Sequence, residues 1–299
     1  MRVFLTGATG AIGSSILDNL LAHGHDVTSA VRSAQKGEEI ASKGPHSHFV
    51  IYEITLETAH QFEELAAGFD AIIHCVMPSF DENGAKLEDL CVDTLIRVGR
   101  KTAETKPVTV VFTSGCLVNG NTNGIMDEDH DDTSRCIPFV VPRIVREKKI
   151  VNASSGNFRG VVIRPSWVYG KSFVDQWIRA CKSHNKIIAH TGNNHIPFIH
   201  YEDLAEMYRI LIENHAFGIF YATEPESVPL ETVIEKVSTL GNLHEIERID
   251  NPWAHTSGPY GFFIFGQSVD QQIVSKRLSD LYHFTPRHKF LDWINSYAF

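Results

Sequence analysis

The stretch Val3-Phe4-Leu5-Thr6-Gly7-Ala8-Thr9-Gly10-Ala11-Ile12-Gly13 leaves this chain little choice of fold. An apolar run ending in glycines three apart reads as a buried strand that turns directly into a helix. Arg2 to Thr6 is the strand. Beyond Gly10 the apolar residues Ile12, Ile16 and Leu20 recur at helical spacing, Leu17 and Leu21 lie beside them, and Gly24 closes the helix. Glycine suits such a turn where φ must be positive, where an anion must approach main-chain N–H groups, or where helix and strand pack closely. The first N–H groups of a helix have no partner within it, so its start is an anion site. A second strand at Asp26 to Val31 completes a β-α-β unit of the length this motif needs.

The alternation continues. Residues 34 to 43 read as a helix, Phe49 to Tyr52 as a strand, 57 to 67 as a helix with Phe62 and Leu65 inward, and Ala71 to His74 as a strand. Leu87 to Ala103 carries Leu87, Leu90, Cys91, Leu95 and Val98 at the 3.6 period, and Val108 to Thr113 is a further strand. Residues 115 to 137 read as loop, with the acidic run Asp127 to Asp132 as a solvated turn without chemistry. Pro142 opens a helix that ends at Val151, and Val161 to Arg164 is a sixth strand. From Ser172 the alternation loosens into a helix at 173 to 184, strands at Ile187 to His190 and Ile196 to Ile199, and a helix at 202 to 213. The pattern predicts an α/β fold, a doubly wound parallel sheet in residues 1–171 with sheet-completing segments from later in the chain, and a smaller C-terminal lobe in 172–299.

A chain of 299 residues with formal charge −9 and no basic stripe excludes a nucleic-acid or anionic-membrane surface. The longest apolar runs, such as Val108 to Phe112, are strand-sized. Five cysteines without a C-x-x-C pair fit a reducing compartment, and no export signal precedes the first strand, so a cytoplasmic location is expected. The histidines are scattered and no metal is expected; the partner is a small-molecule substrate. Oligomeric state is not legible.

These residues resemble the short-chain dehydrogenase/reductase superfamily in its extended, epimerase-like branch. Thr6-Gly7-x-x-Gly10-x-x-Gly13 looks like its phosphate-binding turn, and Asp70 to Cys75 like the strand that ends over the nicotinamide-side phosphates. Val111-Phe112-Thr113-Ser114-Gly115 is similar to the strand that holds the catalytic serine. Arg164-Pro165-Ser166-Trp167-Val168-Tyr169-Gly170 resembles R-P-x-x-V-Y-G, and Pro197 to Ala205 resembles the substrate-lobe I-H-x-x-D-x-A. The tail, Gln267 to Ile294, is similar to that of an atypical subgroup. The resemblance implies a Rossmann-type fold and a cofactor held by Gly7, Thr9, Gly10, Ala11, Ile12, Gly13, Cys75, Val76, Thr113, Arg143, Pro165 and Trp167, with Glu53 and Ile54 beside the adenine. Where an acid would accept the ribose hydroxyls of NAD stands Val31, followed by Arg32 and Ser33 with Lys36 a turn later, which implies NADP(H) over NAD(H).

The catalytic positions depart from the family. Counting back from Gly120 to the serine slot gives Gly115, preceded by Ser114. The Tyr-x-x-x-Lys slots fall on Phe139 and Arg143, with Glu147 four residues on. Phenylalanine cannot donate a proton, and arginine keeps its own near neutrality. One reading is an NADP(H)-dependent oxidoreductase of a small, apolar carbonyl or alcohol whose proton comes from Ser114, Tyr169, His200, Tyr260 or water. Tyr169 and His200 also read as packing at a lobe junction, and Tyr260 as cover for a loop. The aromatic stretch Trp253 to Phe265 points to an apolar pocket or to lobe core. The other reading is a non-redox protein, an NADP(H) sensor or an isomerase or cyclase that reuses the cleft.

Overall fold

A computed structural model describes every residue except Pro78, Phe80, Thr256, Ala298 and Phe299. It forms two compact units. The first comprises Met1–Ser114, Pro138–Arg164 and Ala205–Phe220. Its strands are β1 (Arg2–Thr6), β2 (Asp26–Val31), β3 (Ser47–Ile51), β4 (Ala71–His74), β5 (Val108–Thr113), β6 (Phe158–Pro165) and β7 (Gly218–Ala222), the last two ending just past the unit. They make one seven-stranded sheet in the order β7-β6-β5-β4-β1-β2-β3. Pairing from β3 through β6 is parallel, with β1 between β2 and β4. Helices α1 (Ala11–Ala22), α2 (Ala34–Ala41), α3 (Glu82–Ala103) and α4 (Val141–Asn152) connect the strands. The central strands bury both faces, as the continuous apolar runs require: Val3, Phe4, Leu5, Ile72, Ile73, Val110 and Phe112 are wholly buried. The strand order reverses between β1 and β4, the position at which doubly wound sheets bind ligands.

Local chemistry moves some elements from where periodicity alone puts them. In place of a helix over 57 to 67 there is a turn of 3-10 helix at Ala59–Gln61 and a single α turn at Phe62–Leu65. Thr55 and Thr58 hydrogen-bond each other's backbone N–H groups at 3.2 and 2.9 Å, which competes with helical bonding at that end. Helix α3 begins at Glu82, capped by the Asp81 carboxylate, which accepts from Gly84 N at 2.8 Å. Its buried face runs through Glu88, Cys91, Val92, Leu95 and Val98, leaving Leu87 and Leu90 half-buried.

The second unit comprises Gly115–Ile137, Pro165–Leu204 and Tyr221–Phe299. Short strand pairs build it: Trp167–Tyr169 with Phe198–His200, Ile187–His190 with Ile246–Ile249, His195–Ile196 with Val228–Pro229, and Ile125–Met126 with Gln272–Ile273. Helices α5 (Phe173–Ser183) and α7 (Leu230–Gly241) pack on them, and α6 (Tyr201–Glu213) starts in this unit. Trp177, Ile178, Phe198, Phe263 and Phe290 belong to its core.

The acidic run is not a solvated turn. Glu128 is buried and its carboxylate accepts from the backbone N–H groups of Tyr221, Lys276 and Arg277 at 2.9, 2.9 and 3.2 Å. Asp131 accepts from Asn119 Nδ2 at 2.8 Å and the Tyr221 hydroxyl at 2.9 Å. The run ties distant segments of this unit together. Among the described residues no helix is long and apolar enough to cross a membrane.

Candidate functional site

The first unit carries a cradle at the start of α1. Gly7 has φ +78°, and a Cβ there would lie 2.7 Å from the Cys75 carbonyl oxygen, so only glycine turns the chain this close to β4. A Cβ on Gly13 would stand 2.1 Å from the Gly7 carbonyl oxygen; α1 can press onto the turn only without a side chain there. Gly10 is exposed, closes the turn by donating to Gly7 O at 2.9 Å, and is the N-cap with no side-chain cap and no acidic residue in the first turn. Thr9 and Ala11 are exposed and Ile12 half-buried. An uncapped helix start behind a glycine turn fits a phosphate.

At the end of β2, Val31 is buried and Arg32 exposed, and among the described residues the guanidinium makes no ion pair. The Ser33 hydroxyl caps α2, accepting from Lys36 N at 3.4 Å, while Lys36 Nζ pairs with Glu39 at 2.6 Å. Glu53 is exposed and Ile54 packs partly against the core. Among the described residues this edge therefore offers one unengaged cation, Arg32, and no carboxylate at the strand end.

The ends of β4 and β5 hold buried polar groups. Cys75 Sγ lies 3.1 Å from Thr113 Oγ1, which is 2.7 Å from the Tyr208 hydroxyl, and burial pushes the Cys75 thiol up to about 11. Val76 follows, half-buried. His74 Nδ1 is 3.0 Å from Thr6 Oγ1; burial first, then the charge of Arg143, brings the imidazole down to about 4, so it is neutral near pH 7. Ser114 N donates to Ile163 O at 2.8 Å, prolonging the sheet, while its buried Oγ has no partner among the described residues. Such a buried polar atom is open to a water, an ion or a ligand as its partner.

Helix α4 places Arg143 with Nη2 2.9 Å from Glu88 Oε1 and Nη1 3.3 Å from Thr113 O. Burial lowers its pKa and the Glu88 carboxylate opposes that. Arg146 joins the same carboxylate and reaches Asp89 at 2.8 Å. Phe139, half-buried, lines a shallow cleft with Arg143, Glu88, Asp81 and Ser79. Glu147 is wholly buried against Arg164, 2.6 Å from its Nη2, so the glutamate four residues beyond Arg143 holds the arginine of the Arg164-Pro165 pair. Glu88 is absent from the sequence reading, although it shares a helical face with Cys91, Val92 and Leu95, where a carboxylate has to find a cation. Tyr208 is likewise missed, since nothing in its sequence surroundings separates it from core aromatics.

The remaining sequence-derived residues belong to the second unit. Pro165 and Trp167 are buried, the indole beside Phe263 at 5.2 Å and against Gly266. Tyr169 is wholly buried between Phe290 and Trp293, its phenol pushed far up by burial and the nearby Glu224 carboxyl. Glu224 accepts from Phe290 N at 3.0 Å and is raised to about 7 by burial. His200, also buried, is held down to about 4 by burial and then by His288. Tyr260 is buried, its ring 5.5 Å from His184, and burial raises its phenol. These groups sit in lobe packing, whereas Ser114 and Arg143 lie by the strand ends of the first unit.

Residues 3–220 match the model of the NAD dependent epimerase/dehydratase family. An uncharacterized protein of Schizosaccharomyces pombe is 27% identical over 301 residues, covering 97% of each chain. A 4-hydroxy-2-methyl-3-oxo-4-farnesyl-3,4-dihydroquinoline-1-oxide ketoreductase of Stigmatella aurantiaca is 24% identical over 283 residues, 91% of this chain and 83% of that one. Among solved structures, the dTDP-glucose 4,6-dehydratase DesIV of Streptomyces venezuelae, with NAD and TYD bound, superposes at a TM-score of 0.77 with 14% identity, over 99% of this chain and 95% of that one.

Proposed function

The chain belongs to the NAD dependent epimerase/dehydratase family, extended short-chain dehydrogenases/reductases with a Rossmann-type sheet, and from that premise we propose that it is an NADP(H)-dependent oxidoreductase of small, apolar carbonyl or alcohol substrates. The observation that carries the cofactor preference is the end of β2, where a carboxylate is missing and the Arg32 guanidinium stands exposed and unengaged. A 2′-phosphate there gains a charge-assisted hydrogen bond, and the free ribose hydroxyl of NAD finds no acceptor. The Gly7–Gly13 turn and the start of α1 fit the pyrophosphate. When bound, the nicotinamide supplies or accepts a hydride. Ser114, the buried hydroxyl without a partner among the described residues, orients the substrate oxygen, and Arg143, fixed by Glu88, donates hydrogen bonds without giving up its proton. The likeness to a ketoreductase supports reduction of a carbonyl.

Calorimetric titration of the purified protein with NADPH and NADH tests this. NADPH should bind more tightly, and Arg32→Asp should weaken NADPH by roughly 10- to 100-fold while sparing NADH. Equal affinities in the parent would remove the preference.

A second reading is favoured by the Phe139 and Arg143 register. With no phenol at that position and the guanidinium neutralised by Glu88, the cleft also suits an NADP(H)-binding protein without redox turnover.

A further inference from the structure

At the start of α6 and in the segment before Phe290, three side chains of the second unit converge: His200, Glu202 and His288, whose ligand-capable atoms all lie within 4.8 Å of one another. His288 Nε2 is 3.4 Å and His200 Nδ1 3.9 Å from the same Glu202 oxygen, Oε2. The imidazole rings touch, with centroids 3.9 Å apart.

The hydrogen bonding around them fixes which nitrogens carry lone pairs. His288 Nδ1 is 3.0 Å from Asp203 Oδ2, a buried carboxylate that also accepts from the backbone N–H groups of Arg287 and His288 at 3.1 and 2.9 Å. An ionised carboxylate only accepts, so His288 Nδ1 donates. In the neutral ring Nε2 then holds the lone pair and faces the Glu202 carboxylate. His200 Nδ1 receives only a long contact, 3.4 Å, from Glu202 N, a bond weak enough for a metal ion to displace. Three ligand-capable atoms at such range can be bridged by one cation.

We propose that His200, Glu202 and His288 form a binding site for a divalent transition-metal ion, zinc by preference. Two imidazole nitrogens and one carboxylate oxygen suit zinc, with water as the fourth ligand. Ligand atoms in a tetrahedral zinc site lie about 3.3 Å apart, so the present spacing closes by about 1.5 Å at most on binding. Asp203 is the carboxylate that commonly orients a zinc-bound imidazole. The Lys171 ammonium is engaged over the Tyr201 ring at 4.2 Å. The ion joins the start of α6 to the C-terminal segment, a structural role inside the lobe.

The test uses the full chain freed of metal with EDTA, dialysed, and titrated calorimetrically with zinc chloride near pH 7.5. One zinc should bind per chain with a Kd of about micromolar or tighter, and Tm should rise by about 5 °C at a hundredfold excess over Kd. Cobalt(II) should show the visible absorption of a low-coordinate nitrogen and oxygen site. Glu202→Ala and His288→Ala should each weaken zinc roughly a hundredfold or more, and because the Glu202 side chain is 56% exposed, its variant keeps an unchanged circular dichroism spectrum. Zinc bound equally well by wild type and Glu202→Ala, or not bound by wild type at all, overturns the site.

Discussion

Arg143 makes an ion pair with Glu88 and donates to the Thr113 carbonyl, so its guanidinium is fixed beside the end of β5. A fixed guanidinium can order a ribose or a substrate oxygen, but it cannot serve as a general acid near neutrality. Phe139 lines the same cleft and offers only apolar surface. Phe139→Ala should therefore leave native turnover within about tenfold, roughly 1.4 kcal/mol, because no proton transfer is lost. Removing a true general acid from that position would cost about a hundredfold or more. Phe139→Tyr combined with Arg143→Lys restores a phenol beside a cation. If the protein is non-redox, only this double variant reduces small ketones with NADPH in a spectrophotometric assay; ordinary rates in the parent would exclude that reading and turn attention to Ser114. From the sequence, the Tyr and Lys slots are expected at Phe139 and Arg143 by the register that puts Glu147 four residues on, and the structure pairs Glu147 with Arg164 at 2.6 Å. The sequence hid Glu88, because a carboxylate on a half-apolar helix looks the same whether it faces water or a guanidinium from a segment more than fifty residues on in the sequence.

At the scale of elements, α1 and its turn were legible because the glycine spacing reports a backbone constraint, and the contacts divide that constraint between two jobs. A methyl group on Gly13 meets the Gly7 carbonyl oxygen at 2.1 Å, whereas one on Gly10 comes no nearer than 3.3 Å and fits the extended backbone there. Gly13→Ala should thus lower stability by about 1–3 kcal/mol as α1 is pushed from the turn, with cofactor binding falling alongside. Gly10→Ala should leave the denaturant midpoint near that of the parent and weaken NADPH in calorimetry through crowding at the phosphate. Equal loss of stability in the two variants would mean that both glycines serve packing. The parallel strands were readable for a similar reason, since burial on both faces leaves a continuous apolar run. The segment from 57 to 67 was not, because threonine side chains competing for backbone groups outweigh a weak helical period. Nor was the acidic run: Glu128 is defined by the amides of Tyr221, Lys276 and Arg277, all remote in sequence.

For the molecule as a whole, the buried titratable groups act on stability in opposite directions, which gives a pH optimum that composition does not show. His74 and His200 are held down to about 4, so the stability they confer is complete above their unfolded value of 6.5 and is lost as pH falls toward 4. Glu224, raised to about 7 from an ordinary 4.5, has the reverse effect: the protonated carboxyl is the form favoured in the fold, its contribution is complete below pH 4.5, and it is lost as pH rises through 7. Glu224→Gln isolates this term, since the amide oxygen can still accept from Phe290 N and both histidines are common to variant and parent. In denaturant unfolding, the stability of the parent relative to Glu224→Gln should fall by about 3 kcal/mol between pH 4.5 and 8, most of it before pH 7, at about 1.4 kcal/mol for each pH unit over which the folded state alone keeps the proton. A difference that stays constant across that range would mean that Glu224 ionises in the fold as it does in the unfolded chain, and that its burial beside Tyr169 is relieved by water.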